Sequence, residues 1–382
     1  MRLAVYTDYA YHELDGHVYT ERAFALFLAR LAESFERLVV VGRLDPSPEG
    51  ARYPLGDRIE FVALPYYESL ARPAAAIGAM RGSLTAFRRA LDGVDAVWLL
   101  GPHPLALAFA GAALRRRRKV ALGVRQDLPA YVRSRHPQRR LLRAAAVALD
   151  ASYRALSRLY PTIVVGPALA RRYRRARDLL EISVSLISSG DLRAPESGVA
   201  RSYDGERTVL SVGRIEREKN PLLLADVLAE LERAEPGRWR LAVCGEGPME
   251  AGLAERLAAL ELADRAELHG YVPFGEGLNA LYRDAHAVLH VSLTEGLPQV
   301  LLEAFAAATP VVATDVGGVR EAVGDAALVV PPASAEAAAR GLIRVASDAA
   351  LRTRLIRGGA AFVAARTAGV ETRRVAGFLR RL

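Results

Sequence analysis

Glu295 and Glu303 stand eight positions apart in the run Thr294-Glu295-Gly296-Leu297-Pro298-Gln299-Val300-Leu301-Leu302-Glu303-Ala304-Phe305. Proline fits the first turn of a helix because no N–H is missed there, and the apolar residues after it read as a buried helix. Glu295 is therefore expected in the loop just before the helix and Glu303 inside it. A helix rises ~1.5 Å per residue, which puts the two carboxylates roughly 10 Å apart. That is too far to share one proton as a compact acid–base pair. It is a good span for gripping two ends of one elongated ligand. Between them lies a helix N-terminus, where free N–H groups and the helix dipole favour an anion such as phosphate.

Two cations stand upstream. Val212-Gly213-Arg214-Ile215-Glu216-Arg217-Glu218-Lys219-Asn220-Pro221 follows a strand pattern, Thr208 to Val212, and precedes a helix pattern, Leu222 to Leu231. Arg214 and Lys219 thus sit five residues apart on a strand-to-helix loop. Arginine offers a planar fork to phosphate oxygens, and lysine a compact charge. The chain has two lysines, Lys119 and Lys219, among 52 Lys and Arg. It uses arginine almost wherever a surface cation will do, so a lysine in this loop is conspicuous.

The loop, the glutamate pair and the turn Gly245-Glu246-Gly247-Pro248 together resemble glycosyltransferase family 4. Further matching pieces are Gly270-Tyr271-Val272, Thr309-Pro310-Val311-Val312-Ala313-Thr314-Asp315-Val316-Gly317-Gly318 and Val330-Pro331-Pro332. The C-terminal half matches nearly throughout and the N-terminal half in pattern only. The resemblance implies retaining, nucleotide-sugar-dependent chemistry on a GT-B fold: α/β, two doubly wound Rossmann-like domains whose parallel sheets face a central cleft.

By the same resemblance Glu303 binds the ribose hydroxyls of the nucleotide and Glu295 the hydroxyls of the transferred sugar. Backbone at Gly16 and along Gly296, Leu297, Pro298 and Gln299 approaches the phosphates. Gly213, Gly245, Tyr271 and Val272 complete the donor side. Arg214, Lys219 and Glu295 carry the transfer. Breaking the bond between an anomeric carbon and a diphosphate builds negative charge on the leaving group, which fixed cations and helix N–H groups stabilise. No metal or other cofactor is then required. No Asp-x-Asp, the usual metal-chelating signature of the other large glycosyltransferase fold, occurs. Gly245–Gly247 lacks the third, correctly spaced glycine of a dinucleotide fingerprint. The first half departs from the family: it reads Leu14-Asp15-Gly16-His17 where two adjacent glycines are common, and Arg125-Gln126-Asp127 where a histidine is common. His17, His103, Arg125 and Asp127 are the candidates on the acceptor side.

These groups need a scaffold of strand ends. Apolar strand runs alternate with helical patterns through all 382 residues, a length that favours two domains. Strands are expected near Arg2–Thr7, Leu38–Gly42, Ile59–Leu64, Ala96–Leu100, Val120–Val124 and Thr162–Val165. In the second half they fall near Thr208–Val212, Arg240–Cys244, Ala266–His269, Ala287–Val291, Val311–Ala313 and Ala327–Val330. Helices are expected at Tyr19–Glu33, Ala74–Leu91 and Leu141–Leu156. Such sheets bind ligands at the carboxyl ends of their strands. The expected division is residues 1–190 for the acceptor, a linker 191–206, residues 207–369 for the nucleotide-sugar donor, and a last helix, 370–382, crossing back to the first domain.

Charge is uneven. Residues 1–195 carry 30 Lys and Arg against 18 Asp and Glu, and the remainder 22 against 25, which together give the net +9. The basic half suits an anionic membrane surface or an acidic acceptor; the same composition also fits solvated helix faces in an arginine-rich chain. Nucleic acid is not expected, since no recognised module appears and aromatics do not interleave with the arginine runs. No apolar stretch reaches the ~20 residues that span a bilayer. Pro104 to Leu114 runs straight into Arg115-Arg116-Arg117-Arg118-Lys119 and reads as a buried helix with cations at its C-terminal turn. The N-terminal residues read as a strand rather than a signal peptide, and one cysteine, Cys244, allows no intrachain disulfide.

The expectation is a hexosyltransferase-type enzyme that is cytoplasmic, peripheral on the inner membrane face if the basic half serves that surface. Its partners are a nucleotide-sugar donor and a hydroxyl acceptor, with lipid-linked and anionic acceptors both open. Two alternatives stand beside it: a nucleotide-sugar 2-epimerase of the same fold, and a non-catalytic nucleotide-sugar-binding protein.

Overall fold

The computed structural model describes residues 1–47, 50–67 and 73–382, with residues 73–77 described as backbone alone. The chain divides into two compact units. The first comprises 1–129, 139–186 and 368–382, and the second 130–138 and 187–367.

The first unit holds strands β1 (Arg2–Leu14), β2 (His17–Thr20), β3 (Arg37–Asp45), β4 (Tyr53–Pro54), β5 (Ile59–Leu64), β6 (Ala96–Gly101), β7 (Lys119–Val124), β8 (Thr162–Val165) and β9 (Leu179–Ile182). Its parallel core runs β5-β3-β1-β6-β7-β8-β9. β1 does two jobs. Arg2 to Tyr6 pairs in parallel with β3 on one side, and Leu3 to Tyr6 with β6 on the other. After an irregularity between Tyr6 and Ala10 the strand continues, and His12 to Leu14 pairs antiparallel with β2. Asp15 (φ 52°) and Gly16 (φ 75°) make the hairpin turn, where two successive positive φ values call for a short polar residue and a glycine. The helix expected from Tyr19 therefore starts later, at Phe24, and ends at Ala32. Tyr19 and Thr20 belong to β2 and pair with β4. The other two helices expected in the first half lie at Pro73–Ala90 and Arg140–Ser157. The last helix, Ala368–Arg380, packs on Phe24–Ala32, and its buried Glu371 accepts the Ser183 N–H.

The second unit is a six-stranded parallel sheet of β10 (Arg207–Val212), β11 (Trp239–Cys244), β12 (Ala266–Leu268), β13 (Ala287–His290), β14 (Val311–Thr314) and β15 (Leu328–Val330). The order is β12-β11-β10-β13-β14-β15. This is a doubly wound order whose direction reverses between β10 and β13, and a crevice opens there at the carboxyl ends. Adjacent strand residues serve opposite faces, as the two-residue period requires. Val209, Leu241 and Leu289 join one core with Leu224, Trp239 and Leu342. Leu210, Ala242 and Val288 join the other with Tyr282, Leu301 and Phe305. Burial on both faces explains why these strands read as unbroken apolar runs. The segment 191–206, expected as a linker, packs into this unit: the Arg193 N–H donates to Ala306 O at 2.8 Å and the Tyr203 hydroxyl to His286 O at 2.5 Å. Among the described residues no helix is long and apolar enough to cross a membrane.

Candidate active site at the strand ends of the second sheet

The loops leaving β10 and β13 meet at the point where the strand order reverses. The first runs Gly213–Asn220 and closes in a short turn, Arg217–Lys219, that Asn220 ends in a left-handed conformation (φ 55°). The second runs from Val291 to Pro298 and leads into the helix Gln299–Ala306. The Leu293 N–H donates to Glu218 O at 2.8 Å and ties the loops together. Gly245 belongs to a third loop. A Cβ there would lie 1.8 Å from Gly213 O, so no side chain fits. Its N–H donates to Gly270 O at 2.7 Å, which brings Tyr271 and Val272 beside the same strand ends. Gly317 backs the Glu295 peptide, and a Cβ there would meet Glu295 O at 1.8 Å.

Glu295 lies in the loop and Glu303 in the helix, as the spacing implies. Pro298 differs by one position: it caps the helix in an extended conformation (ψ 128°) and Gln299 opens the first turn. Lys219 Nζ forms an ion pair with Glu295 Oε1. The same oxygen meets His290 Nε2 at 3.1 Å, and Ser292 Oγ lies 3.1 Å from that nitrogen. Burial alone would raise the Glu295 carboxyl. Lys219 and His290 outweigh it and hold Glu295 well below the usual carboxylate range. Glu295 is therefore a fixed anion, suited to accept hydroxyl hydrogens.

Glu303 has the opposite electrostatics. It is 8% exposed, and the Tyr282 hydroxyl donates to its Oε2 at 2.7 Å. Burial pushes the carboxyl up to about 7, against which the tyrosine bond is a smaller effect. Glu303 also borders a pocket of about 370 Å³ together with Asp191, Arg193, Asn279 and Arg283.

Arg214 is already engaged. Its Nη1 donates to Glu216 Oε2 at 2.5 Å and its Nη2 to Glu218 Oε1 at 3.2 Å. Glu218 is buried, its Oε2 has no hydrogen-bond partner, and burial together with Glu216 pushes its carboxyl upward. Both cations expected on phosphate thus rest on carboxylates of the second unit itself. An incoming anion has to exchange with those carboxylates.

Of the first-unit candidates, His103, Arg125 and Asp127 follow the paired ends of β6 and β7, where Gly101 lies opposite Val124. Gly16 and His17 are at the tip of the β1–β2 hairpin. His103 caps the helix Pro104–Arg115: Nδ1 accepts the Leu105 N–H at 3.2 Å and faces the Tyr6 hydroxyl at 2.8 Å, while Nε2 lies 3.1 Å from the Tyr67 hydroxyl. Burial lowers it to about 4, so it is a neutral packed cap with both nitrogens used. Arg125 donates to Asp8 Oδ1 at 2.6 Å and stacks 4.3 Å over the Tyr9 ring. Asp127 lies 3.6 Å from Arg172, which also grips the buried Asp150. Sequence reasoning missed His290, Ser292, Tyr282 and Asp8. For His290 and Ser292 a signal was present, since polar residues at the end of a buried apolar strand need partners.

Residues 194–362 match the family described as Glycosyl transferases group 1. A D-inositol 3-phosphate glycosyltransferase of Nocardia farcinica is 40% identical over 128 residues, 32% of this chain and 28% of that protein. The chain spans less than half the length of the curated relatives it matches in this way. Among solved structures, sucrose-phosphate synthase from Thermosynechococcus elongatus superposes with a TM-score of 0.75 at 20% identity, over 100% of this chain and 98% of the other. Anabaena HepE in complex with UDP superposes with 0.70 at 17%, over the whole of both chains. The likeness to these structures establishes the GT-B fold.

Proposed function

We propose that this chain, a GT-B glycosyltransferase whose second unit is a group 1 domain, moves a sugar from a nucleotide-diphosphate donor to a hydroxyl acceptor with retention. The observation that carries the reading is the meeting of Arg214, Lys219 and Glu295 at the sheet's reversal point, beside the N-terminus of Gln299–Ala306. The donor's diphosphate draws Arg214 and Lys219 from their carboxylates. Glu295, released by Lys219 and still oriented by His290, accepts hydroxyl hydrogens of the sugar. Glu303 accepts those of the ribose.

In the transfer step the bond from anomeric carbon to diphosphate oxygen breaks. Its electron pair stays on the diphosphate, where the two cations and the helix N–H groups stabilise it. The acceptor oxygen enters on the face the leaving group vacates, and its proton passes to a diphosphate oxygen. This front-face route needs no carboxylate nucleophile and places no demand on a metal. The Gly213-Arg214…Lys219 loop combined with the Glu295–Glu303 spacing favours transfer over 2-epimerisation.

On the acceptor side we propose an anionic or lipid-linked hydroxyl compound; the curated relatives named for D-inositol 3-phosphate support an anionic group. The helix Arg140–Ser157 supports a peripheral membrane role. It turns Leu141, 88% exposed, and Val147, 54% exposed, to solvent, with Arg139, Arg140 and Arg143 exposed at its start. Thermal shift against nucleotide sugars tests the donor reading. A ligand at 100 times its dissociation constant adds about 2.7 kcal/mol, so the true donor raises the melting temperature and no response to any of them rejects the reading.

A further inference from the structure

Two carboxylates beside a diphosphate site are an obstacle. Glu216 and Glu218 hold Arg214 away from a ligand and repel the ligand's charge. Glu218 is 3% exposed, so solvent does little to screen it. A second guanidinium meets the same pair. Arg135 Nη1 donates to Glu216 Oε2 at 3.0 Å and lies 3.6 Å from Glu218 Oε1. It is oriented by the Tyr131 hydroxyl, which accepts from the same Nη1 at 2.8 Å. Residues 130–138 belong to the second unit although they follow β7 in the chain. At rest, two guanidiniums balance two carboxylates.

We propose that Arg135 is a positioning residue for the donor: it keeps the Glu216–Glu218 pair neutralised while Arg214 turns from those carboxylates to the diphosphate. Once Arg214 leaves, the pair retains one compensating charge instead of none. Without Arg135 the pair competes with the ligand for Arg214. The inference rests on the donor reading above and adds a residue to it that the group 1 match, residues 194–362, does not contain.

The test uses the full chain and calorimetric titration with whichever of UDP, GDP, ADP and dTDP raises the melting temperature of the wild-type protein. Arg135→Gln weakens that nucleotide roughly five- to tenfold, in line with couplings between neighbouring charged groups. Turnover at saturating donor stays within about twofold, because the lost step is capture of Arg214 and not chemistry. Arg135→Lys keeps the charge and binds within about twofold of wild type. The double variant Arg135→Gln/Glu216→Gln, which removes the competing carboxylate as well, returns to within about twofold. Wild-type affinity in Arg135→Gln overturns the proposal. So does a double variant as weak as the single one, which would make Arg135 a direct phosphate ligand. So does an Arg135→Lys variant as weak as Arg135→Gln. If the wild-type protein binds none of the four nucleotides, the donor reading itself fails and takes this inference with it.

Discussion

Replacing Glu303 by glutamine should change how the second unit's stability depends on pH. The carboxyl rises from its ordinary value of 4.5 to about 7 because it is buried, with Tyr282 as its hydrogen-bond donor. A raised carboxyl pKa means that the folded state binds a proton more tightly than the unfolded one. The resulting stability is fully present below about pH 4.5 and is lost as pH rises through about 7. At 1.36 kcal/mol per pH decade, the rise from 4.5 to about 7 corresponds to about 3 kcal/mol. Glutamine has the same shape and no titration, so it removes this component and leaves a constant offset. Urea unfolding at a series of pH values measures it. Trp239 is the tryptophan of the second unit and Trp98 that of the first, so a Trp98→Phe background reports the second unit alone. The stability of wild type minus that of Glu303→Gln should fall by about 3 kcal/mol between pH 4 and pH 8. A difference that stays flat across that range would refute the buried, protonatable carboxyl.

Lys219→Ala should lower turnover about 100- to 1000-fold, the usual effect of losing one donor to a developing oxyanion, and should also lower the melting temperature, because it leaves the buried Glu295 carboxylate without its ion pair. Lys219→Arg should also be poor, because a planar fork does not reproduce a point charge on the leaving diphosphate; near wild-type kcat in steady-state assays of either variant contradicts the role. If the basic face of the first unit meets a membrane, flotation with anionic vesicles should be strong at low salt and fall steeply as salt rises. Each cation near such a surface contributes up to ~1 kcal/mol, screened over about a Debye length, and neutral vesicles should bind poorly throughout. Equal binding to neutral and anionic vesicles at low salt rejects that surface.

The second unit was far more legible in the sequence than the first, for a physical reason. Its inner strands β10, β11, β13 and β14 are buried along half or more of their length, so each announces itself as an apolar run, and the loops between carry residue types a plain loop would not need. A lysine in a chain that otherwise uses arginine pointed to Lys219, and its partner Glu295, 76 residues away, came from a separate motif. In the first unit, β2 and β9 have four residues each and β4 has two, and most of these residues are not buried, so none reads as an apolar run the way the equally short β13 and β14 do. The stretch at Tyr19 read as the start of a helix because its second strand partner, β4, lies over thirty residues further along the chain. The pairing of Arg125 with Asp8 spans 117 residues, and that of Arg135 with Glu216 spans 81; no local pattern encodes either. His103 was suspected from its place at a strand end, yet its cap and two tyrosine hydroxyls occupy both ring nitrogens, which spacing alone does not reveal.

The most direct test of the central claim follows a nucleotide sugar through turnover by proton and phosphorus NMR, in excess chelator, with inositol phosphates and lipid-linked sugars offered as acceptors. One donor should release its nucleoside diphosphate only when an acceptor is present. The new glycosidic linkage then keeps the donor's anomeric configuration, and Lys219→Ala and Glu303→Ala lose the reaction. A linkage of inverted configuration, a donor epimerised without any acceptor, or activity that disappears in chelator and returns with magnesium or manganese would contradict it.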